Sequence, residues 1–174
     1  MNSFVAIDFE TANGDGDSAC AVAVVAGRDG RLTGSWSSRI RPPTSVFTFS
    51  HIHNLAWEDV REAPAFNDIW PELNRWLRGA DFVAAHNAPF DSGVLQACCR
   101  RYGLRPPRVP FECTVQIARA QWRIYPTKLP DVCRRLGIPL RHHVAESDAE
   151  ACARIVLAAE AAGWRRSAPT VQTG

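Results

Sequence analysis

The sequence predicts an α/β domain built on a mixed five-stranded sheet, with three antiparallel meander strands, two α-connected strands and helices on the sheet's faces. Three observations predict it. From Phe4 to Phe9 every residue except Asp8 is apolar, as in a strand buried within a sheet. Arg28-Asp29-Gly30 is a turn signal between two further strand-like stretches. Beyond Ala65, short apolar runs alternate with segments of helical spacing, the pattern of strands joined through helices.

The elements follow in order. A first strand from about Phe4 to Asp8 leads through Asn13-Gly14-Asp15-Gly16 to a second, near Ala19 to Ala26. The third ends near Arg41, before Pro42-Pro43, and Thr44 to Pro64 reads as loop and short helix. Ala65 to Leu77 has helical spacing in Phe66, Ile69, Trp70, Leu73, Trp76 and Leu77. The fourth strand, Phe82 to Ala85, precedes a helix from about Phe90 to Tyr102. A short fifth strand near Phe111 is followed by helices at about Thr114 to Trp122, Leu129 to Leu136 and Ser147 to Ala162. Residues 1–164 read as a single domain and Arg165 to Gly174 as a flexible tail.

Composition narrows the functional classes. The hydrophobic fraction of 46% is ordinary for a globular protein, no apolar run approaches a membrane span, and the N-terminus lacks a basic region followed by an apolar segment. The cysteines Cys20, Cys98, Cys99, Cys113, Cys133 and Cys152 lie mainly in apolar stretches without a C-x-x-C pair. They read as free thiols of a cytoplasmic protein, rather than as a zinc site or a disulfide framework. The formal net charge is +2, from 20 basic and 18 acidic residues. Nineteen of the basic residues are Arg, with clusters at Arg100, Arg101, Arg105 and Arg108 and at Arg134, Arg135 and Arg141. Arg forks suit phosphate oxygens, but a solvated surface explains most of these. No patch of the kind that coats duplex DNA stands out.

Asp8 and Glu10 are the most informative pair. Two apart on a strand, their carboxylates point to one face, and nothing nearby in sequence balances them. A divalent cation is the usual compensation, and close-set oxygen ligands suit Mg²⁺ or Mn²⁺. Taken alone, the run is equally consistent with a strand ending in two solvated acids. Two later segments favour the cation. His86-Asn87-Ala88-Pro89-Phe90-Asp91 follows the fourth strand, and His143-Val144-Ala145-Glu146-Ser147-Asp148 leads into the last helix. Each places one acid at the boundary of an element, where it can project into a shared cleft.

This order of motifs resembles the DEDDh group of 3′–5′ exonucleases: Asp8-x-Glu10, Asp91 within His-Asn-Ala-Pro-Phe-Asp, and His143 five residues before Asp148. The resemblance extends to Asp-Phe-Glu-Thr-Ala-Asn, Ser18-Ala19-Cys20, Ile52-His53 before Glu58-Asp59-Val60, and Cys113-Thr114. That group includes proofreading subunits of bacterial replicative polymerases, ribonuclease T and oligoribonuclease. It implies a ribonuclease H-like fold and a hydrolase acting on 3′ ends of single-stranded DNA or RNA with two divalent ions, Mg²⁺ or Mn²⁺. By resemblance Asp8, Glu10 and Asp148 hold the ion that activates water, Asp8 bridges to a second ion, and Asp91 supports that one. His143 would be the general base, with His142 as a competitor. The related tyrosine subclass is excluded, because Val144 occupies the position where it needs Tyr.

Phe90 matches an aromatic placed against a base, although it equally suits a core residue at a helix start. Phe9 and Thr11 flank the first acids and are expected to meet the terminal nucleotide through their backbone. His53 borders the same pocket, where Asn54 replaces the family's Gly and puts the turn geometry in question. Lys128 can touch phosphate or remain solvated. DNA is the favoured substrate, with an exoribonuclease and a non-catalytic 3′-end or polymerase-binding module as alternatives. A DNA polymerase or a second copy of the chain is a possible partner. Few residues follow the last helix, which favours a free-standing enzyme over a dedicated proofreading subunit.

Overall fold

The computed structural model describes residues 3–166. Its five strands are β1 (Ser3–Thr11), β2 (Ala19–Arg28), β3 (Arg31–Arg39), β4 (Phe82–Ala85) and β5 (Phe111–Cys113), in the spatial order β3-β2-β1-β4-β5. β1, β2 and β3 form the antiparallel meander, while β4 lies parallel to β1 and β5 parallel to β4. The helices are α1 (Ser50–His53), α2 (Trp57–Val60), α3 (Phe66–Arg78), α4 (Ala88–Arg101), α5 (Thr114–Trp122), α6 (Leu129–Leu136) and α7 (Ala145–Ala161). Among the described residues no helix is long and apolar enough to cross a membrane.

Alternation along β1 divides the core in two. Val5, Ile7 and Phe9, with Val22 and Val24 of β2, pack against Phe66, Leu73 and Leu77 of α3 and Val94, Leu95 and Cys98 of α4. Phe4 and Ala6 point the other way and pack, with Ala21, Ala23 and Ala84, against Ala145, Ala149, Ala153 and Val156 of α7. Small side chains on both partners let this helix lie close to the sheet. A third cluster joins Ala151 and Ile155 on another side of α7 to Ala118 of α5 and Leu129, Val132 and Cys133 of α6. All six cysteines are free, and every one but Cys113 is buried.

Several boundaries differ from the sequence expectation. β1 continues past Asp8 to Thr11, because Phe9, Glu10 and Thr11 go on pairing with Val22, Ala21 and Ala19 across a register shift. β3 ends at Arg39, although Ile40 still donates its N–H to the Cys20 carbonyl at 2.9 Å. α4 begins at Ala88, where Asn87 at φ 73° breaks the strand direction and Pro89 stands in the first turn, its ring already set for a helix. α7 begins at Ala145 rather than Ser147, so Asp148 lies within its first turn. The loop after β3 holds two single-turn helices, α1 and α2. Of the expected tail, Arg166 donates Nε–H to Glu112 at 2.9 Å, and residues 167–174 lie outside the described residues.

Candidate active site

Pairing between β1 and β4 ends at Ala6 and Ala84. Asp8 and Glu10 therefore project beyond the carboxyl end of β4, the usual place for a cleft in a sheet of this kind. They lie on the face covered by α7, whose first turn brings Asp148 to them. Ligand oxygens of Asp8, Glu10 and Asp148 all fall within 4.8 Å of one another. Asp91 comes from the first turn of α4, is buried, and accepts the Phe9 backbone N–H at 3.0 Å. Three of the expected acids thus form one cluster, and the fourth is fixed to the residue between the first two.

Their electrostatics are those of carboxylates gathered without a counter-charge. Burial pushes the Asp8 carboxyl well above its ordinary range, and the charges of Asp91, Glu10 and Asp148 push it further. Burial, then Asp148, raises Glu10 to about 7. Burial raises Asp91 to about 8 against the opposing Phe9 hydrogen bond. Asp148 is raised by burial, although bonds from His143 and His142 hold it back. Among the described residues no Arg or Lys forms an ion pair with any of the four. Oδ1 of Asp148 is buried without a hydrogen-bond partner. An all-oxygen set with an orphaned acceptor and uncompensated charge fits a hard divalent cation.

Both histidines before α7 reach Asp148. His142 donates Nδ1–H to Oδ2 at 2.9 Å, and the backbone N–H of His143 donates to the same oxygen at 3.0 Å. Their rings stack with centroids 3.7 Å apart. His143 has φ 65°, and ligand atoms of both histidines and of Asp148 lie within 4.8 Å of one another. Burial first, then His142, lowers the pKa of His143, so its ring keeps a free lone pair near neutral pH.

Asp8, Glu10 and Asp148 open into a cleft of about 720 Å³ that Phe9, Thr11, His53, Phe90 and His143 also line, while Asp91 lies buried behind it. Phe90 is 44% exposed, which places it at the cleft rather than in the core. Phe9 is buried in the core, with its backbone N–H taken by Asp91. His53 is buried: Leu55 N–H donates to Nδ1 at 3.1 Å, and Nε2–H then donates to the Thr11 carbonyl at 2.9 Å. It is therefore a clamp on the strand that bears the acids. Asn54 takes φ 58° and closes α1 by donating its N–H to Ser50 at 2.8 Å, so Asn supplies the left-handed turn for which Gly is usual.

Sequence reasoning did not single out His86, Arg119 or Tyr125, which line the same cleft. His86 accepts from the Thr114 hydroxyl at 2.9 Å and donates to the Thr127 carbonyl at 3.0 Å. Only its place in the His-Asn-Ala-Pro-Phe-Asp motif could have marked it. Nothing local marks Arg119 or Tyr125.

Comparison with known proteins agrees with this geometry. The exonuclease family model RNase_T matches residues 5–156, and the chain belongs to that family. The 3′-5′ exonuclease DinG of Bacillus subtilis (strain 168) is 31% identical over 165 residues, covering 88% of this chain and 17% of that protein. A PolC-type DNA polymerase III of Oceanobacillus iheyensis is 28% identical over 155 residues, covering 86% of this chain and 11% of that protein. The chain thus spans a small part of these relatives. Among solved structures, the nuclease domain of 3′hExo, a DEDDh family member bound to rAMP, superposes with a TM-score of 0.77 at 18% identity, covering 92% of each chain. Exonuclease X in complex with 5′ overhanging duplex DNA gives 0.72 at 21% identity, covering 93% of this chain and 94% of that one. The fold is the ribonuclease H-like fold of the DEDDh exonucleases.

Proposed function

We propose that residues 1–164 form a 3′–5′ exonuclease domain that hydrolyses phosphodiester bonds from the 3′ end of single-stranded nucleic acid, DNA before RNA, releasing nucleoside 5′-monophosphates. The observation that carries this reading is the cluster of Asp8, Glu10 and Asp148 oxygens within 4.8 Å, bordered by His143 and, among the described residues, without an ion pair to any Arg or Lys. Asp8, Glu10 and Asp148 would hold one divalent ion, Mg²⁺ or Mn²⁺, and Asp8 and Asp91 would support a second. Bound there, such ions supply Lewis acidity for the attacking water and positive charge for the leaving oxygen.

The chain's own groups supply the rest. His143 takes the proton of the attacking water through its free ring nitrogen. Phe90 stacks on a base at the cleft wall. Phe9 and Thr11 present the β1 backbone to the terminal nucleotide, and His53 holds Thr11 in place. The family match and the names of the DinG and PolC-type relatives support this reading, and the latter also support association with a DNA polymerase.

The test uses 5′-labelled single-stranded DNA and RNA of one sequence with Mg²⁺, Mn²⁺ or EDTA. A ladder shortening from the 3′ end on DNA, lost in EDTA, is expected. Faster loss of RNA would make the protein an exoribonuclease. Intact strands with both metals would leave a 3′-end or polymerase-binding module.

A further inference from the structure

The acids that line the cleft come from β1 and α7. A second part of its lining, from α5 and the 124–128 segment, has the opposite character. Arg119 and Lys128 both line it, and among the described residues neither forms an ion pair. Lys128 is the chain's single lysine.

Arg119 is held in place. Its Nε–H donates to Thr127 Oγ1 at 3.0 Å, and its guanidinium carbon lies 5.5 Å from the centre of the Tyr125 ring. Thr127 is itself fixed: its buried hydroxyl donates to the Ile124 carbonyl at 2.9 Å, and its own carbonyl accepts His86 Nε2–H at 3.0 Å. The terminal guanidinium nitrogens have no hydrogen-bond partner among the described residues, so a planar donor fork is presented to the cleft already ordered. Tyr125 is 68% exposed, a large aromatic left open beside that fork.

Four carboxylates exclude a basic cradle around the scissile phosphate. A polynucleotide carries further phosphates that need compensation elsewhere, and an ordered cation beside an open aromatic ring suits a phosphate next to a stacked base. We infer that Arg119, steadied by Tyr125 and Thr127 and assisted by Lys128, binds a non-scissile phosphate of the strand, and so makes the site selective for polynucleotides over single-nucleotide esters. This rests on the exonuclease reading.

The test compares a single-stranded oligodeoxynucleotide with the p-nitrophenyl ester of thymidine 5′-monophosphate, which carries the scissile phosphate and no other. The ratio of kcat/KM on the oligonucleotide to that on the ester should fall about tenfold in R119A, through KM, with a shallower dependence on salt. An unchanged ratio overturns the inference, whether both activities persist or fall together. Oligonucleotide affinity measured in Ca²⁺ decides the matter separately from turnover. A wild type that binds the strand yet hydrolyses neither substrate refutes the exonuclease reading. In that event weaker binding by R119A still supports the phosphate contact, and equal binding overturns it. Because Arg119 is exposed, R119A is expected to fold, and R119K reports whether charge suffices without the Thr127 tether.

Discussion

Asp91 Oδ1 accepts the backbone N–H of Phe9 at 3.0 Å, so one carboxylate fastens α4 to β1 and also adds its charge to that felt by Asp8. The two roles can be separated. Asp91→Asn keeps an acceptor for the buried N–H and removes the charge; near pH 4, where the buried carboxyl carries little penalty, it is expected to melt near the wild type, while turnover at neutral pH falls about 100-fold. Asp91→Ala leaves the Phe9 N–H without an acceptor and costs about 1–3 kcal/mol in addition. Urea melts beside oligonucleotide turnover measure both, and a fully active Asp91→Asn protein would remove Asp91 from the metal site.

The two histidines before α7 divide their work: His142 bonds Asp148 through its ring, His143 through its backbone. The His142 ring is thus engaged at Nδ1, whereas neither ring nitrogen of His143 has a hydrogen-bond partner among the described residues. At φ 65° Asn is a better replacement than Ala, since Asn tolerates the left-handed region. His143→Asn is expected to lose about 10²- to 10⁴-fold in kcat, and His142→Ala distinctly less. Single-turnover rates at saturating Mg²⁺ decide it; a larger loss at His142 would exchange their roles.

The legible parts of this molecule were those governed by local periodicity. Asp8 and Glu10 share a face because strand side chains alternate, and the structure sets them in one cluster with Asp148. Asn54 took the left-handed turn because its short polar side chain permits it, a substitution that the sequence alone left in question. Other parts depend on tertiary packing. Phe90 suited a core or a cleft equally well until the position of α4 exposed it. His53 reads as a pocket residue, yet both its ring nitrogens are engaged with Leu55 and Thr11. Arg119 meets Tyr125 and Thr127 only through the way the chain turns between α5 and α6, and no periodicity records that turn.

The contact between α7 and the sheet is built from small residues, and Asp148 depends on it. Ala149 is fully buried next to Asp148 and packs in the cluster that contains Ala21 and Ala23. Ala149→Leu has no room without moving the helix, and should destabilise by about 1–3 kcal/mol. Because it shifts Asp148 as well, turnover should fall about 10²-fold. Ala161→Leu, at the exposed end of the same helix, is the control and should change stability by no more than about 0.5 kcal/mol. Equal melting temperatures for the two variants would show that close packing of α7 is not needed.

Metal-free protein should carry a pH signature with a definite sign. In the folded state Glu10 is raised from 4.5 to about 7 and Asp91 from 3.8 to about 8, burial being the first cause of each. Below the unfolded values both states hold these protons and there is no penalty. As pH rises, the unfolded chain releases them while the folded chain retains them, so the slope of stability against pH is negative. The penalty is complete only above about 8, where the folded protein must carry the charges unaided. In EDTA the melting temperature should therefore fall between about pH 4 and about pH 8 through these groups. Added Mg²⁺ or Mn²⁺ competes with protons for the same oxygens, and its stabilisation should grow over that range. Asp8→Asn removes one of the buried like charges; it should melt higher than the wild type in EDTA at the alkaline end, gain little from either ion, and hydrolyse nothing. Melts that respond to the ions equally at both ends of the range, or an Asp8→Asn protein that responds as the wild type does, would place the cation away from these carboxylates.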